Sequence, residues 1–358
     1  MPNDNHYALI LAGGRGTRFW PRSRRTRAKQ VLRFVGEQSL IQDTVERLRP
    51  LIPAERIWVL TNEHLRAEIV RQLPDVPPHQ ILAEPAQRNT APAIGLAAHI
   101  LRSIDPDAVL GVFPADHYIA RPAEYRDLLR PAFGAAANGQ LVVLGIAPRW
   151  PETGYGYIEF PEGTRPGMLR PAPVLRFREK PCLKMAKEFV TAGNFYWNAG
   201  MFFWRCDVFL DALRTYLPKT ASLIEELPAF GSPRFMSALA GSYTGTENIS
   251  VDFAVLEKAS NVVGLTAGEI AWNDVGSWNA VYELLPRDEE GNVSRGTTLL
   301  KDANGNYVES DGRLVALLGV RDLIVVDTPD ALLIADRGRA QEVGDLVKML
   351  EGKRDDLL

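Results

Sequence analysis

Apolar residues in the first 150 positions alternate between short continuous runs and helical spacing. The continuous runs, typical of buried strands, lie at 7–11, 57–60, 80–83, 109–113 and 141–146. The helically spaced segments lie between them at 39–51, 63–73, 90–104 and 124–137, with Asn89 or Thr90 as an N-cap. This alternation predicts an α/β fold with a Rossmann-like mixed, mainly parallel sheet flanked by helices.

The hydrophobic pattern changes character toward the C-terminus. It is less regular from 154 to 274, and short β runs then appear at 314–318, 323–326 and 332–334 between Gly, Asp and Pro turns. A closing amphipathic helix is predicted at 338–350. We therefore predict one domain over 1–285 and a small C-terminal β-rich domain over 286–358, compatible with a partial left-handed β-helix.

The first predicted strand runs directly into a glycine-rich, cationic loop. Three glycines fall within four residues and are followed by a threonine and cations, at Gly13, Gly14, Gly16, Thr17, Arg18 and Lys29. Glycines let backbone N–H groups approach a ligand closely, and a row of such groups binds phosphate. The loop therefore favours a polyphosphate site over the alternative, a simple glycine turn after an edge strand.

The same loop lacks the features of two better-known phosphate motifs. A P-loop ends in Gly-Lys-Ser/Thr, whereas Gly16 is followed by Thr17 and Arg18. A dinucleotide fingerprint needs a third glycine opening a helix, whereas Phe19 stands there and Pro21 follows. Neither of these two binding modes is expected.

Composition narrows the function classes further. Net charge is −3, and 46% of residues are hydrophobic, so nothing global favours nucleic acid or a membrane surface. There is no apolar run of about 18 residues, and the polar segment 1–6 does not resemble a signal peptide. Two cysteines without metal-ligand spacing fit a reducing cytoplasm, where we expect the protein to lie.

Polar residues at predicted strand ends form the second group of candidates, since ligands bind at the carboxyl ends of parallel strands. Glu84 offers a pair of acceptors that suits a guanine edge, although the 84–90 segment also reads as a helix cap. Asp116 is a natural Mg²⁺ ligand beside phosphate, or alternatively an N-cap of the next helix. Gly145 also falls at a strand end.

Further candidates lie in the irregular middle region. Asp274 stands between two tryptophans and would share a cation with Asp116. Glu179, Lys180 and Asn198 suit the hydroxyls and phosphate of a sugar phosphate, with Tyr155 and Gly156 beside them. The alternatives are an exposed ion pair and a turn residue. His117 has no partner at ligand spacing, so zinc is not expected.

Taken in order, these motifs carry a resemblance to a known family. The chain resembles the sugar-1-phosphate nucleotidyltransferases, and among them the mannose-1-phosphate guanylyltransferases of the bacterial type. The matching segments are 11–14, 16–18, 20–21, 84–85, 88–92, 114–117, 154–158, 179–181, 197–202 and 273–278. Each motif alone is weak, whereas the ordered set is highly specific.

The resemblance implies a role for each candidate. The GTP phosphates would be held by Gly13, Gly14, Gly16, Thr17, Arg18 and Lys29, and the guanosine by Glu84, Asn89 and Thr90. Mg²⁺ would be held by Asp116 and Asp274. Mannose 1-phosphate would be held by Gly145, Tyr155, Gly156, Glu179, Lys180 and Asn198. The catalytic residues would be Arg18, Lys29 and Asp116.

The implied reaction converts GTP and α-D-mannose 1-phosphate to GDP-mannose and diphosphate by in-line attack on the α-phosphate. The alternatives are another sugar-1-phosphate or nucleotide, or a non-catalytic regulatory paralogue that binds GDP-mannose. Two departures from the family pattern bear on this. Ala28 replaces the usual proline before Lys29, which would loosen the loop, and the chain ends at Leu358, so no isomerase activity is expected. A homodimer through the C-terminal strands is a further expectation.

Overall fold

The computed structural model describes residues 5–358, so most of the polar segment 1–6 lies outside the described residues. The α-helices are α1 Leu40–Leu48, α2 Glu63–Gln72, α3 Thr90–Ile104, α4 Pro122–Ala137, α5 Leu183–Ala192, α6 Cys206–Tyr216, α7 Pro218–Glu225, α8 Phe235–Ser242, α9 Trp278–Leu284 and α10 Val343–Leu350. Over residues 5–358, none of the helices combines the length and apolar character that a membrane crossing requires.

The strands are named in chain order. They are β1 His6–Leu11, β2 Ile57–Thr61, β3 Ile81–Ala83, β4 Val109–Pro114, β5 Tyr118–Ile119, β6 Leu141–Ile146, β7 Tyr157–Glu159, β8 Ala172–Pro173, β9 Arg176–Arg178, β10 Phe195–Arg205, β11 Val262–Thr266, β12 Trp272–Asn273, β13 Val293–Arg295, β14 Thr298–Lys301, β15 Tyr307–Ser310, β16 Val315–Leu318, β17 Leu323–Asp327 and β18 Leu332–Asp336.

The central sheet is mixed, with the strand order β3-β2-β1-β4-β10-β6-β11-β8. The first four strands run parallel, β10 is antiparallel to both β4 and β6, and β11 is again parallel to β6. The predicted mixed, mainly parallel sheet is therefore confirmed. The sequence analysis did not identify β10, which lies in the middle of the sheet and bulges between Asn198 and Phe202.

Burial explains the apolar runs of the sheet. Ala8, Leu9 and Ile10 of β1 are all inaccessible to solvent because the strand is covered on both faces. Helices α1, α2 and α4 pack on one face and α3 and α6 on the other, giving two separate hydrophobic cores. The predicted helix 39–51 is shorter in the structure and ends at Leu48, because Pro50 has no N–H to continue it.

The C-terminal part is a short parallel β-coil. Strands β13, β15 and β17 form one parallel face and β14 and β16 a second, while β18 pairs antiparallel with β17. The predicted runs at 314–318, 323–326 and 332–334 are confirmed as β16, β17 and β18. The predicted helix 338–350 starts instead as a 3₁₀ segment, Arg337–Glu342, and becomes α-helical at Val343.

Candidate active site

The glycine loop after β1 has one position that only glycine can occupy. Gly16 has a φ of 62°, and a Cβ there would lie 2.7 Å from both the backbone nitrogen and the Cβ of Lys29. The buried Gln30 donates from its amide to the carbonyls of Ala12 at 2.6 Å and Gly14 at 3.1 Å. The sequence analysis missed Gln30, whose role depends on the chain folding back onto the loop.

Lys29 connects the loop with both predicted metal-binding turns. Its Nζ lies 2.8 Å from Oδ2 of Asp116 and donates to the backbone carbonyl of Asp274 at 2.6 Å. Arg18 donates to the carbonyl of Gly276 at 3.4 Å. One cavity of about 340 Å³ is lined by Gly16, Thr17, Arg18, Lys29, Asp116 and Asp274, together with Phe19, His117 and Gly276. The structure therefore brings six of the predicted site residues together.

The two carboxylate-bearing turns are tied to each other through His117. The β5–β12 ladder pairs Ile119 with Trp272, and the indole of Trp272 donates to Nδ1 of His117 at 3.2 Å. Burial lowers the pKa of His117 to about 4, so the ring is neutral and Nδ1 accepts this hydrogen. The buried Arg47 donates to the carbonyl of His117 at 3.0 Å. Asp116 is not the N-cap of the next helix, since α4 begins only at Pro122.

The electrostatics of this cavity fit a divalent cation. Burial raises the pKa of Asp116, but the charge and hydrogen bond of Lys29 outweigh it, so the net shift is downward and the carboxylate is ionised. Tyr155 and Asp274 line one cavity together. Within residues 5–358 no cluster of three His, Cys, Asp or Glu side chains has metal-binding geometry. Two carboxylates suit an ion that takes its remaining ligands from phosphate and water.

A second cavity of about 450 Å³ opens on the other side of the loop. It is lined by Gly13 and Glu84 with residues of α2, and Oε1 of Glu84 lies 3.7 Å from where a Cβ of Gly13 would stand. Tyr243 donates its hydroxyl hydrogen to Oε2 of Glu84 at 2.7 Å. Burial raises the pKa of Glu84 to about 7, and the Tyr243 hydrogen bond acts in the opposite direction.

Asn89 and Thr90 occupy structural positions beside this second cavity and do not line it. Asn89 accepts from the backbone N–H of Thr90 as the N-cap of α3. The Thr90 hydroxyl accepts from the N–H of Val251 at 2.9 Å. Their predicted contact with guanosine stays a prediction.

Four of the predicted sugar-phosphate residues lie together: Gly156 precedes β7, Glu179 and Lys180 follow β9, and Asn198 lies within β10. A Cβ on Gly156 would lie 2.5 Å from Oε2 of Glu179 and 3.2 Å from Cβ of Asn198, so only glycine leaves room for both. Lys180 Nζ lies 2.6 Å from Oε1 of Glu179. The ammonium is mostly exposed while the Glu179 side chain is buried, which leaves the lysine free to meet an anion.

Asp252 belongs to this group, although the sequence analysis did not single it out. It accepts from the Asn198 amide at 2.8 Å, and burial together with the charge of Glu179 raises its pKa to about 6. Asp252 opens a π-helical turn, Asp252–Leu256, a rare conformation that often marks functional sites. No periodicity in the sequence signals such a turn.

The other two predicted sugar-binding residues are placed differently. Tyr155 stands by Asp274 and lines a cavity of about 280 Å³ with Arg149 and Trp150. Gly145 is buried inside β6, where a Cβ would lie 2.9 Å from Cβ of Tyr196. Packing therefore explains this glycine.

Ala28 is closely packed, and the expectation that it loosens the loop stays a prediction. It is 1% exposed, and its φ of −77° lies within the range that proline adopts. Ala28 and Lys29 are both buried.

Comparison with known proteins agrees with this geometry. The nucleotidyl transferase family model matches residues 7–291, and a model described as a MannoseP isomerase/GMP-like beta-helix domain matches 296–350. The chain is 39% identical to a mannose-1-phosphate guanylyltransferase of Klebsiella pneumoniae, over 96% of this chain and 73% of the relative. It is 37% identical to the alginate biosynthesis protein AlgA of Pseudomonas aeruginosa, over 96% of this chain and 72% of that one.

A solved structure is similar over nearly the whole chain. It is described as mannose-1-phosphate geranyltransferase from Thermus thermophilus, and it matches with a TM-score of 0.85 and 35% identity. The match covers 97% of this chain and 100% of the other. The chain belongs to the nucleotidyl transferase family, within the group of mannose-1-phosphate guanylyltransferases.

Proposed function

We propose that the protein catalyses the conversion of GTP and α-D-mannose 1-phosphate to GDP-mannose and diphosphate. The observation that carries this proposal is the position of Lys29, which joins the glycine loop to both Asp116 and Asp274. The Glu84 cavity lies on one side of that loop, and relatives at 39% identity bear the name of this activity. GTP would place its base near Glu84 and its phosphates along the loop.

For this reaction the protein must position the two substrates and supply positive charge near the phosphates. A phosphate oxygen of the sugar phosphate attacks the α-phosphorus of GTP, and the bond to the diphosphate leaving group breaks in line. The attacking oxygen is already anionic at neutral pH, so no general base is needed. Arg18 and Lys29 would stabilise the charge that develops on the phosphates.

Nucleotidyltransferases of this family generally use a divalent metal ion. We infer that Asp116 and Asp274 hold Mg²⁺ here, because the ion prefers one or two carboxylates together with phosphate oxygens. When bound, Mg²⁺ would neutralise phosphate charge and reduce the repulsion between the two anionic substrates. Lys29 contacts both of the turns that would hold the ion.

At the sugar site, Glu179 and Asn198 would accept and donate hydrogen bonds to mannose hydroxyls, and Lys180 would bind its phosphate. A cytoplasmic location is part of the same proposal, since Cys182 and Cys206 are both free thiols. A homodimer also stays a proposal. Exposed apolar side chains on the C-terminal coil, such as Leu318 and Ile334, support it.

The proposed function is tested by assaying diphosphate release for each pairing of four nucleoside triphosphates with mannose 1-phosphate and glucose 1-phosphate. We expect GTP with mannose 1-phosphate to give the highest kcat/KM. A clear preference for UTP or glucose 1-phosphate would replace this reaction with its nearest alternative. Binding of GDP-mannose without any turnover would identify a non-catalytic paralogue.

A further inference from the structure

Tyr243 makes a contact that the proposed reaction does not use and that no sequence motif indicates. It lies 159 residues from Glu84 along the chain, is 1% exposed, and donates its hydroxyl hydrogen to Oε2 of Glu84. The segment that carries it is well anchored, since the carbonyl of Tyr243 accepts from both the N–H and the hydroxyl of Thr246. Arg88 donates to the carbonyl of Thr244.

While Glu84 is ionised, the hydrogen bond has a fixed direction, because a carboxylate can only accept. A phenol at neutral pH donates, and the pKa of Tyr243 is raised well above its ordinary value by burial and by Glu84, so its proton stays on the phenol. Oε2 of Glu84 must therefore accept. Oε1 faces Gly13 and the cavity, and an ionised carboxylate has further lone pairs on both oxygens.

The protonation state of Glu84 decides which purine base it can pair with. Guanine presents two adjacent donors, its N1–H and 2-amino group, and a carboxylate accepts both. Adenine presents an acceptor, N1, beside the donor of its 6-amino group. A protonated carboxyl group, with one O–H and one carbonyl oxygen, is complementary to adenine and not to the two guanine donors.

We propose that Tyr243 is a specificity-determining residue that selects guanine over adenine, by holding Glu84 as a hydrogen-bond acceptor. The inference rests on the proposed function in placing the base at Glu84. It goes beyond that function in assigning the preference to a second residue that does not touch the nucleotide.

Several charged and titratable groups line the Glu84 cavity or act on Tyr243. They are Arg15 and Arg25 of the loop after β1, Glu63 and His64 of α2, and Arg88 before α3. Burial of Glu84 favours its protonation, with a pKa of about 7, and the hydroxyl of Tyr243 is the group that favours ionisation. Removing that hydroxyl therefore extends the protonated form to higher pH.

The experiment compares Tyr243→Phe with the wild type by measuring kcat/KM for GTP and for ATP, with mannose 1-phosphate, between pH 6 and 9. The ratio of the two values is used because triphosphate titration affects both nucleotides alike. We expect the wild-type ratio to fall as the pH drops through 7. In Tyr243→Phe, the pH at which the GTP/ATP ratio falls should move upward by about one unit, because Glu84 loses a hydrogen bond to its charged form. The GTP/ATP ratio near pH 7.5 should therefore be about tenfold lower than in the wild type.

Two further variants make the result specific. Tyr282→Phe removes a comparable hydroxyl that donates to the carbonyl of Gly291 at 2.7 Å in the C-terminal part, and it should leave the ratio unchanged. Glu84→Gln replaces the carboxylate by an amide, which has one acceptor oxygen beside an NH₂ donor group, so its GTP/ATP ratio should be low and independent of pH.

Each outcome bears on a different step. The role of Tyr243 would be overturned if Tyr243→Phe kept the wild-type GTP/ATP ratio and its pH dependence while Glu84→Gln changed that ratio. If both variants kept the wild-type GTP/ATP ratio, the base would not bind at Glu84, but the proposed reaction would still stand. If the wild type turns over neither nucleotide, the proposed function fails. In that case, calorimetric titration with GDP and ADP, at pH 6.5 and 8.5, applies the same comparison to binding.

Discussion

Lys29 organises the candidate active site at the scale of single residues. One ammonium group contacts Asp116 from the turn after β4 and the Asp274 carbonyl from the turn after β12. A lysine carries three donors on a flexible stem, which suits it to join groups from separate elements and still meet a phosphate. Its removal leaves Asp116 half-buried without its cation.

Lys29→Met should reduce kcat/KM by about 10²- to 10³-fold, the usual cost of removing one fixed hydrogen-bond donor that faces charge developing in the transition state. Steady-state diphosphate release measures the effect. Lys348→Met, which removes an exposed lysine paired with Asp345 on α10, should keep the wild-type rate. Wild-type kinetics in Lys29→Met would remove this residue from catalysis.

We expect Asp252 to affect binding of mannose 1-phosphate but not of GTP. Asp252→Ala leaves the amide of Asn198 without its acceptor, so KM for mannose 1-phosphate should rise about tenfold while KM for GTP stays unchanged. The matched control is Asp207→Ala, which removes a carboxylate that pairs with Arg205 at the start of α6. An equal rise in KM for both substrates would indicate general disruption instead of a sugar contact.

At the scale of elements, the path of the glycine loop depends on a left-handed backbone at Gly16 and on its close approach to Lys29. Gly36 also has a positive φ, 78°, but a Cβ there would meet nothing within 4 Å. A side chain at Gly36 would therefore cause backbone strain alone, whereas one at Gly16 would cause both backbone strain and a steric clash. Loops of this kind are precise because adjacent packing, and not the loop itself, fixes them.

Gly36→Ala should lower the free energy of unfolding by about 1–2 kcal/mol, the ordinary strain of a left-handed residue, and keep its activity. Gly16→Ala should add to that strain a clash with Lys29 and lose at least about tenfold in kcat/KM for GTP. Urea unfolding and steady-state kinetics on both variants make the comparison. Equal activity in the two would show that the approach to Lys29 has no functional consequence.

At the scale of the whole molecule, the C-terminal coil and the glycine-loop segment share one hydrophobic core. Phe19 packs on Phe34 and Trp278, and Trp278 on Tyr307, with ring centroids 4.7 to 5.4 Å apart. Arg22 pairs with the buried Glu309 of β15 at 3.1 Å. The proposed division near 286 therefore separates two parts of the chain whose cores are not independent.

A chain ending at residue 290 should lose GTP binding and unfold without a cooperative transition, because Trp278 and Arg22 lose their partners Tyr307 and Glu309 on β15. Calorimetric titration with GTP and thermal unfolding measure both effects. Sedimentation of the full chain tests the proposed dimer. Wild-type affinity in the shortened chain would show that the loop is ordered without the coil.

Much of the architecture and of the candidate site could be predicted because it depends on neighbours in the chain. Periodicity identified β1 and α3, and the glycine spacing identified the loop. Strand β10 was missed because its 11 residues include aromatic, glycine and asparagine positions that match no simple alternation. The sequence analysis found no repeat in the β-coil, because its period is uneven: the side chain of Asn292 accepts from the N–H of Asn306, 14 residues on, and that of Asn306 from the N–H of Leu323, 17 residues on.

By itself, the sequence determined which residue types are available at each strand end: glycines and cations after β1, and carboxylates at Glu84, Asp116 and Asp274. Tertiary structure alone decided which of them meet. The ion pair of Lys29 with Asp116 and the hydrogen bond of Tyr243 to Glu84 each span 87 residues or more. The physical reason is that burial and long-range packing set these distances and shift the pKa values, and neither property is encoded in a local pattern.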